Sequence, residues 1–234
     1  MAGKVARNRF SRWLIPYYIR FYRIDTDEAE KPWREYRTLS EFFSRRLRQG
    51  ARTATAACGL VLSPVDGLVL EAGRLHAGCA VQAKGVTYSI AGLLREGAEE
   101  FADGDYITLY LSPSDYHRIH IPLASQLRRA FRVPGSFFPV NRRGVSAIPG
   151  LYSKNERVVA LLQATGGLYA MVSVGAAVVG GIQWRAQASY FQGEEFGWFE
   201  FGSTVVLLFA PEMVELTVRK GDSVKALAPI GKEK

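Results

Sequence analysis

The stretch "VVALLQATGGLYAMVSVGAAVVGGIQW", residues 158–184, carries no charge over a length that could cross a bilayer, so its reading decides the fold. Gln163, Gly166-Gly167, Gly175 and Gly180-Gly181 interrupt it, where a membrane helix would run on. It reads as two core strands joined by a turn at Gly166-Gly167. The same texture recurs along the chain. "GLVLSPVDGLVLEAG" (59–73), "DYITLYLSP" (105–113) and "STVVLLFAPEMVELTVRKGD" (203–222) are short β-type runs punctuated by Gly and Pro. The expectation is an α+β, mainly β protein: a helical arm over residues 1–52, then a β-rich body over 53–234.

A chain of 234 residues, 48% hydrophobic, can bury a real core. Its formal charge of +8 is uneven: residues 1–52 hold 13 Lys/Arg against 6 Asp/Glu, the remainder 17 against 16. Within the arm, Trp13, Leu14, Ile15, Tyr17, Tyr18, Ile19, Phe21 and Tyr22 alternate with Arg9, Arg12, Arg20 and Arg23. This composition fits a helix lying in a membrane interface, and equally a helix packed on its own core with its arginines in water; a nucleic-acid arm fits less well. Pro16 and Arg20 break the apolar run, so the start does not read as a signal peptide, and a cytosolic protein is expected. A second helix is signposted by Thr38 and Glu41 as a capping box, an apolar stripe of Leu39, Phe42, Phe43 and Leu47, and Gly50 as its stop. Arg45, Arg46 and Arg48 would then occupy its last turn, complementing the helix dipole and available to anionic headgroups. Cys58 and Cys79 lack the spacing of a disulfide framework or thiolate metal site.

Two segments, "SPVDGLVLEAG" (63–73) and "VELTVRKGDSVKALAPIG" (214–231), resemble the halves of a biotinyl/lipoyl carrier barrel. The lysine tripeptide that such a carrier displays is missing, so the barrel is retained as an expectation and the carrier function is not.

Polar chemistry concentrates in "SPSDYHRIHIP" (112–122), which holds His117 and His120, two of three histidines. A zinc site would need a third ligand from His76 or a distant group, and no metal is expected. The pair suits general-base chemistry, with a carboxylate fixing the imidazole tautomer. Asp66 is a candidate orienter, although Asp66-Gly67 also reads as a hairpin turn, and Asp115 competes for the role. In "FEFGSTVVLLF" (199–209), Ser203 follows Gly202 at the edge of an apolar run.

Taken together, Asp66, "YHRIH" (116–120), "PGSFFPVN" (134–141), "NERVV" (155–159) and "GEEFGWFEFGSTVVLLFAP" (193–211) resemble, in order and spacing, the phosphatidylserine decarboxylases. "YRTLSEFFSRRLR" (36–48) and "QAKGVTYSI" (82–90) extend the resemblance over nearly all of the chain. Two positions depart from the family pattern: Phe201 replaces the usual Leu before Gly-Ser-Thr, and Gln192 replaces a frequent basic residue.

The resemblance implies a proenzyme that cuts itself between Gly202 and Ser203, giving residues 1–202 (β chain) and 203–234 (α chain). It implies Asp66, His120 and Ser203 as a self-cleavage triad, with Ser203 becoming a pyruvoyl group. That group would form a Schiff base with phosphatidylserine, giving phosphatidylethanolamine and carbon dioxide without pyridoxal phosphate or metal. His117 is the candidate proton donor, with a structural hydrogen bond as its other role. Phe137 and Phe138 would bind substrate at the acyl-chain entrance or serve as core aromatics. The partners implied are an anionic phospholipid membrane, with no nucleic acid, and a pairing of the α and β fragments, themselves forming dimers. The location implied is peripheral, on the cytoplasmic face of the cell membrane. Two other classes remain open from the residues: a serine hydrolase using Asp66, His120 and Ser203 for turnover, and a non-catalytic membrane-binding module.

Overall fold

The computed structural model describes residues 5–53, 59–83, 85–176, 181–200 and 202–234; Cys58 and Phe201 lie outside these, as do 177–180 of the long uncharged stretch. The chain is mainly β. Its strands are β1 (Leu60–Leu62), β2 (Gly67–Arg74), β3 (Cys79–Ala83), β4 (Val86–Ser89), β5 (Asp105–Leu111), β6 (Arg118–His120), β7 (Ser125–Val133) and β8 (Arg157–Ala164). They continue as β9 (Gly167–Gly175), β10 (Ile182–Trp184), β11 (Ser189–Tyr190), β12 (Glu195–Phe199), β13 (Ser203–Phe209), β14 (Val214–Leu216), β15 (Ser223–Val224) and β16 (Pro229–Glu233). The short helices are α1 (Ile15–Tyr22), α2 (Leu39–Phe43), α3 (Ile90–Leu94), α4 (Arg142–Ala147) and α5 (Leu151–Lys154).

The uncharged stretch forms an antiparallel hairpin, β8 with β9, in which Ala164 pairs with Gly167. The turn therefore falls at Thr165-Gly166, one residue earlier than expected. This hairpin belongs to an eight-stranded sheet ordered β11-β7-β8-β9-β13-β5-β2-β15. Strand β13 lies inside it, paired over all seven residues with β5 on one side and β9 on the other. Strands buried on both faces are near-continuously apolar, as β13 is. Val205, Leu207 and Phe209 face one hydrophobic cluster with Leu109, Leu111, Ile119 and Phe43. Val206 and Leu208 face a second cluster, with Val140, Val145, Val174 and Ala176. Two three-stranded sheets, β1-β16-β14 and β10-β12-β6, and the β3-β4 hairpin complete the body. The two carrier-like segments meet: β15 pairs with β2, and β16 pairs with β1 and β14.

The arm packs on the body and also presents an outward face. Ile15 is buried with Ile24, Tyr36, Leu39 and Phe42, whereas Phe10, Trp13, Tyr17 and Phe21 are each more than 70% exposed. Among the described residues no helix is long and apolar enough to cross a membrane.

Two expectations are corrected. The second helix ends at Phe43 instead of running to Gly50. Its N-terminus forms as expected, with Thr38 Oγ1 accepting from Glu41 N at 3.0 Å, but the backbone of 46–48 leaves the helix to pair with residues 28–30. Tertiary pairing overrides helical propensity here, and Arg45 is consequently buried, not in a solvated last turn. Nor is Asp66-Gly67 a hairpin turn, because Gly67 opens β2. Glycine is required there by close approach: a Cβ would lie 2.6 Å from the Tyr110 carbonyl oxygen.

Candidate active site

Gly202 precedes β13 with φ +41°, a left-handed conformation that costs glycine little. Its carbonyl accepts a hydrogen bond from Ala176 N–H at 2.9 Å, and a Cβ at Gly202 would stand 3.2 Å from Ala176 Cβ. Ser203 opens the strand between Gly175 and Leu111, fully buried, and its hydroxyl has no hydrogen-bond partner among the described residues. A buried hydroxyl without a partner costs stability. Strand alternation puts it on the same side of the sheet as Leu111, Val205 and Phe43.

Strand β6 brings the histidines to this region, since Phe199 N–H, four residues before Ser203, donates to the His117 carbonyl at 2.9 Å. His117 and Ile119 face inward and are fully buried; Arg118 and His120 face the other way. His117 Nδ1–H donates to the Asp115 carbonyl at 2.8 Å, which leaves Nε2 as the unprotonated nitrogen, buried and without a partner among the described residues. Phe43 lies against the ring with centroids 3.8 Å apart. Burial pushes the His117 pKa down to about 3, only partly offset by its bond to Asp115, so the imidazole is neutral near neutral pH.

His120 is held differently. Its Nδ1–H donates to the Gly193 carbonyl at 2.9 Å, and Nε2 lies 3.1 Å from the Tyr116 hydroxyl, whose proton it can accept. Burial lowers its pKa as well. Asp66 is buried but makes no hydrogen bond to either histidine. Its carboxylate accepts from Arg52 Nε at 2.9 Å and Nη2 at 2.5 Å, from Ala226 N–H at 2.8 Å and from Lys225 at 3.2 Å. Burial alone would raise the Asp66 pKa, but these donors outweigh it and hold the group ionised. Its negative charge reaches both imidazoles and favours their protonated forms. Asp115, by contrast, is raised by burial while accepting from Ser112 N–H at 2.7 Å.

Phe137 and Phe138 are part-exposed at 39% and 38%. Phe138 is tied to the cross-strand partner of Ser203 through a residue that the sequence offers only as part of "NERVV". The buried Asn155 amide accepts from Phe138 N–H at 3.0 Å and donates to the carbonyls of Phe138 and Gly175, each at 2.8 Å. Gly175 is the cross-strand partner of Ser203. Two further groups have no local sequence signal. One is the Ala176 amide on the Gly202 carbonyl. The other is Arg45, 4% exposed, whose Nη2 donates to the Ser114 carbonyl at 3.1 Å in the turn that carries His117. Among the described residues no group of three or more His, Cys, Asp or Glu could hold a metal ion.

A buried serine after a left-handed glycine, its preceding carbonyl gripped by an amide, with two histidines carried on and just before the strand that pairs with β12, is an arrangement that can support acyl chemistry on a backbone carbonyl. The family described as phosphatidylserine decarboxylase matches residues 39–232. A phosphatidylserine decarboxylase proenzyme of Brevibacillus brevis is 40% identical over 247 aligned residues, covering 95% of this chain and 88% of that protein. Proteins with the same description from Bacillus thuringiensis and Bacillus cereus are 40% identical over 216 residues, covering 91% of this chain and 82% of each relative. The chain belongs to the phosphatidylserine decarboxylase family.

Proposed function

We propose that this chain is a proenzyme that cuts itself between Gly202 and Ser203 and then decarboxylates phosphatidylserine to phosphatidylethanolamine. The observation that carries the first step is the scissile carbonyl itself, held by Ala176 N–H beside an unpartnered Ser203 hydroxyl. In the first step Ser203 Oγ attacks the Gly202 carbonyl carbon and transfers its proton to a histidine. The amide of Ala176 stabilises the oxyanion, and collapse converts the peptide into an ester. Removal of the Ser203 α-proton expels the Gly202 carboxylate and leaves dehydroalanine. Its hydrolysis takes up water, releases ammonia and leaves a pyruvoyl group at residue 203.

The residues present fit such a group. It would sit where β13 begins, held by the ladders to β5 and β9, which anchor the 203–234 fragment after cleavage. That group supplies a ketone that condenses with a primary amine and takes up the electron pair released as carbon dioxide leaves. Around it, the buried site excludes water, and a histidine returns a proton to the substrate carbon.

The resemblance assigns His120 as the base of self-cleavage, Asp66 as its charge partner and His117 as the proton donor to substrate. The reach of the Asp66 charge to both rings supports a charge-partner part for Asp66 without distinguishing the two histidines. One observation favours a second assignment, with His117 as the base: its inward-facing Nε2 has no partner among the described residues, while His120 Nε2 already has Tyr116. His117→Gln and His120→Gln separate the two, because only loss of the cleavage base leaves the chain whole, whereas loss of the donor leaves a cleaved protein with weak turnover.

The exposed aromatic, arginine-rich face of the arm is read as the attachment to an anionic membrane surface, making the protein peripheral at the cytoplasmic face. Residues 1–52 act as that arm and 53–234 as the catalytic unit, and the pairing of β15 with β2, which joins the two carrier-like segments, supports a carrier-like barrel in it. The fragments stay paired, as a dimer of such pairs.

The deciding experiment is the intact mass of purified wild type beside Ser203→Ala, with the small fragment's N-terminus tested for a ketone by reductive amination. Two wild-type fragments, a ketone-bearing terminus and a whole Ser203→Ala chain are expected. An uncleaved, inactive wild type would overturn the proposal.

A further inference from the structure

A cavity of about 660 Å³ opens at the edge of the large sheet, walled by Leu68 and Leu70 of β2 and by Val145 and Ala147 of α4. Its size lies within the ~300–1,000 Å³ of ligand sites, and such sites pair apolar walls with a few placed polar groups. The wall is preformed: Gln82 donates to the carbonyls of Val145 and Ile148 and accepts from Leu151 N–H, fixing α4 against β3. Two cations flank the cavity. Lys220 is paired with Glu71, whereas Arg143 is exposed and has no ion-pair partner among the described residues. An apolar slot beside an available guanidinium matches an anionic amphiphile, with hydrocarbon inside and phosphate at the mouth.

The cavity lies toward the end of the sheet where β13 begins. Leu68 pairs with Tyr110 and Tyr110 with Thr204, so Leu68 is two strands, roughly 10 Å, from the residue after Ser203, on the face opposite to the Ser203 hydroxyl, and a lipid would reach residue 203 around the start of β13. Tyr110 is within electrostatic reach of Tyr22, at the end of the aromatic arm helix α1. Helix α4 continues directly from the 134–141 loop, whose Phe138 is tied through Asn155 to Gly175, the partner of Ser203.

We propose that this cavity binds one acyl chain of the phospholipid substrate while Arg143 holds its phosphate, an inference that rests on the decarboxylase reading above. The arm would meet the bilayer, and the cavity would take the chain of the lipid whose headgroup reaches residue 203.

The test combines two readouts. Purified, self-processed protein is incubated with vesicles containing phosphatidylethanolamine that carries a diazirine midway along one acyl chain. After illumination, labelled peptides are mapped by mass spectrometry. Labels should concentrate in residues 68–71 and 143–147, and Leu70→Trp or Ala147→Trp should lower them at least about fivefold by filling the slot. In parallel, dipalmitoyl and dihexanoyl phosphatidylserine are turned over in mixed detergent micelles. Either variant should lower the long-chain to short-chain ratio of kcat/KM by about tenfold, and Arg143→Ala should raise KM for both lipids more than it lowers kcat. Two blocking positions are used so that misfolding of one, seen as lost thermal cooperativity, leaves the other as the test. Labels confined to the arm, or an unchanged ratio in a folded blocking variant, would overturn the acyl-site proposal while cleavage and turnover stand. An intact, inactive chain would instead sink the decarboxylase reading, and the labelling, which needs no catalysis, would still judge the cavity.

Discussion

Replacing Asn155 with alanine isolates what holds the aromatic loop to strand β9 beside Ser203. The amide makes three hydrogen bonds in a fully buried setting, two to Phe138 and one to Gly175. At ~1 kcal/mol net for each bond and a further ~1–3 kcal/mol for leaving the Gly175 carbonyl buried and unpaired, the loss comes to about 4–6 kcal/mol. For a chain of this size each kcal/mol moves Tm by about 2–4 °C, so Asn155→Ala should melt roughly 8–24 °C below wild type. Asn155→Asp keeps the acceptor for Phe138 N–H but loses both donors and places a charge in the core, so it should do no better. The consequence for function follows from Gly175, which faces Ser203 across the ladder. A loosened Gly175–Ala176 segment no longer holds the Gly202 carbonyl, and self-cleavage should slow by about tenfold or more. Calorimetry on a cleavage-blocked Ser203→Ala background gives the stability change free of processing, and a gel time course after synthesis gives the cleavage rate. An Asn155→Ala chain that melts within about 2 °C of wild type and cleaves at the wild-type rate would refute this reasoning.

Other expectations follow from single contacts. Both histidines have folded pKa values below the ordinary imidazole value, so the unfolded chain binds more protons, and stability should fall as pH drops below about 6.5. Each contributes a slope of up to ~1.4 kcal/mol per pH unit, that of His117 persisting toward about pH 3; His117→Gln should flatten the curve measured by urea titration at successive pH values. Arg52→Met strips Asp66 of its bidentate partner and leaves a buried carboxylate held by Lys225 and Ala226 alone, a loss of about 3–5 kcal/mol; an unchanged urea midpoint would contradict it. Gly202→Val places a branched side chain at φ +41° against Ala176, so the protein should fold yet remain uncleaved by mass. Phe10→Ala with Trp13→Ala removes two outward aromatics that touch little of the core, so vesicle sedimentation should fall several-fold while Tm holds within about 2 °C.

What could be read from the sequence was whatever depends on local pattern. Alternation and apolar runs marked the β body and the 158–184 hairpin, Thr38 marked the start of α2, and the order of short motifs carried the family. Those signals are local because strand burial, caps and turns act over a few residues. Tertiary structure decided matters that depend on partners distant in sequence. Helix α2 stops at Phe43 because residues 28–30 compete for its backbone, and Asp66 faces Arg52 and Lys225 instead of a histidine because β2 and β15 pair. The amide of Ala176 reaches the Gly202 carbonyl, and Asn155 reaches Gly175, because β8, β9 and β13 pair side by side. Residue types name the reacting groups; hydrogen-bond partners across a sheet set their tautomers, charges and positions, and no window of sequence contains both sides of such a contact.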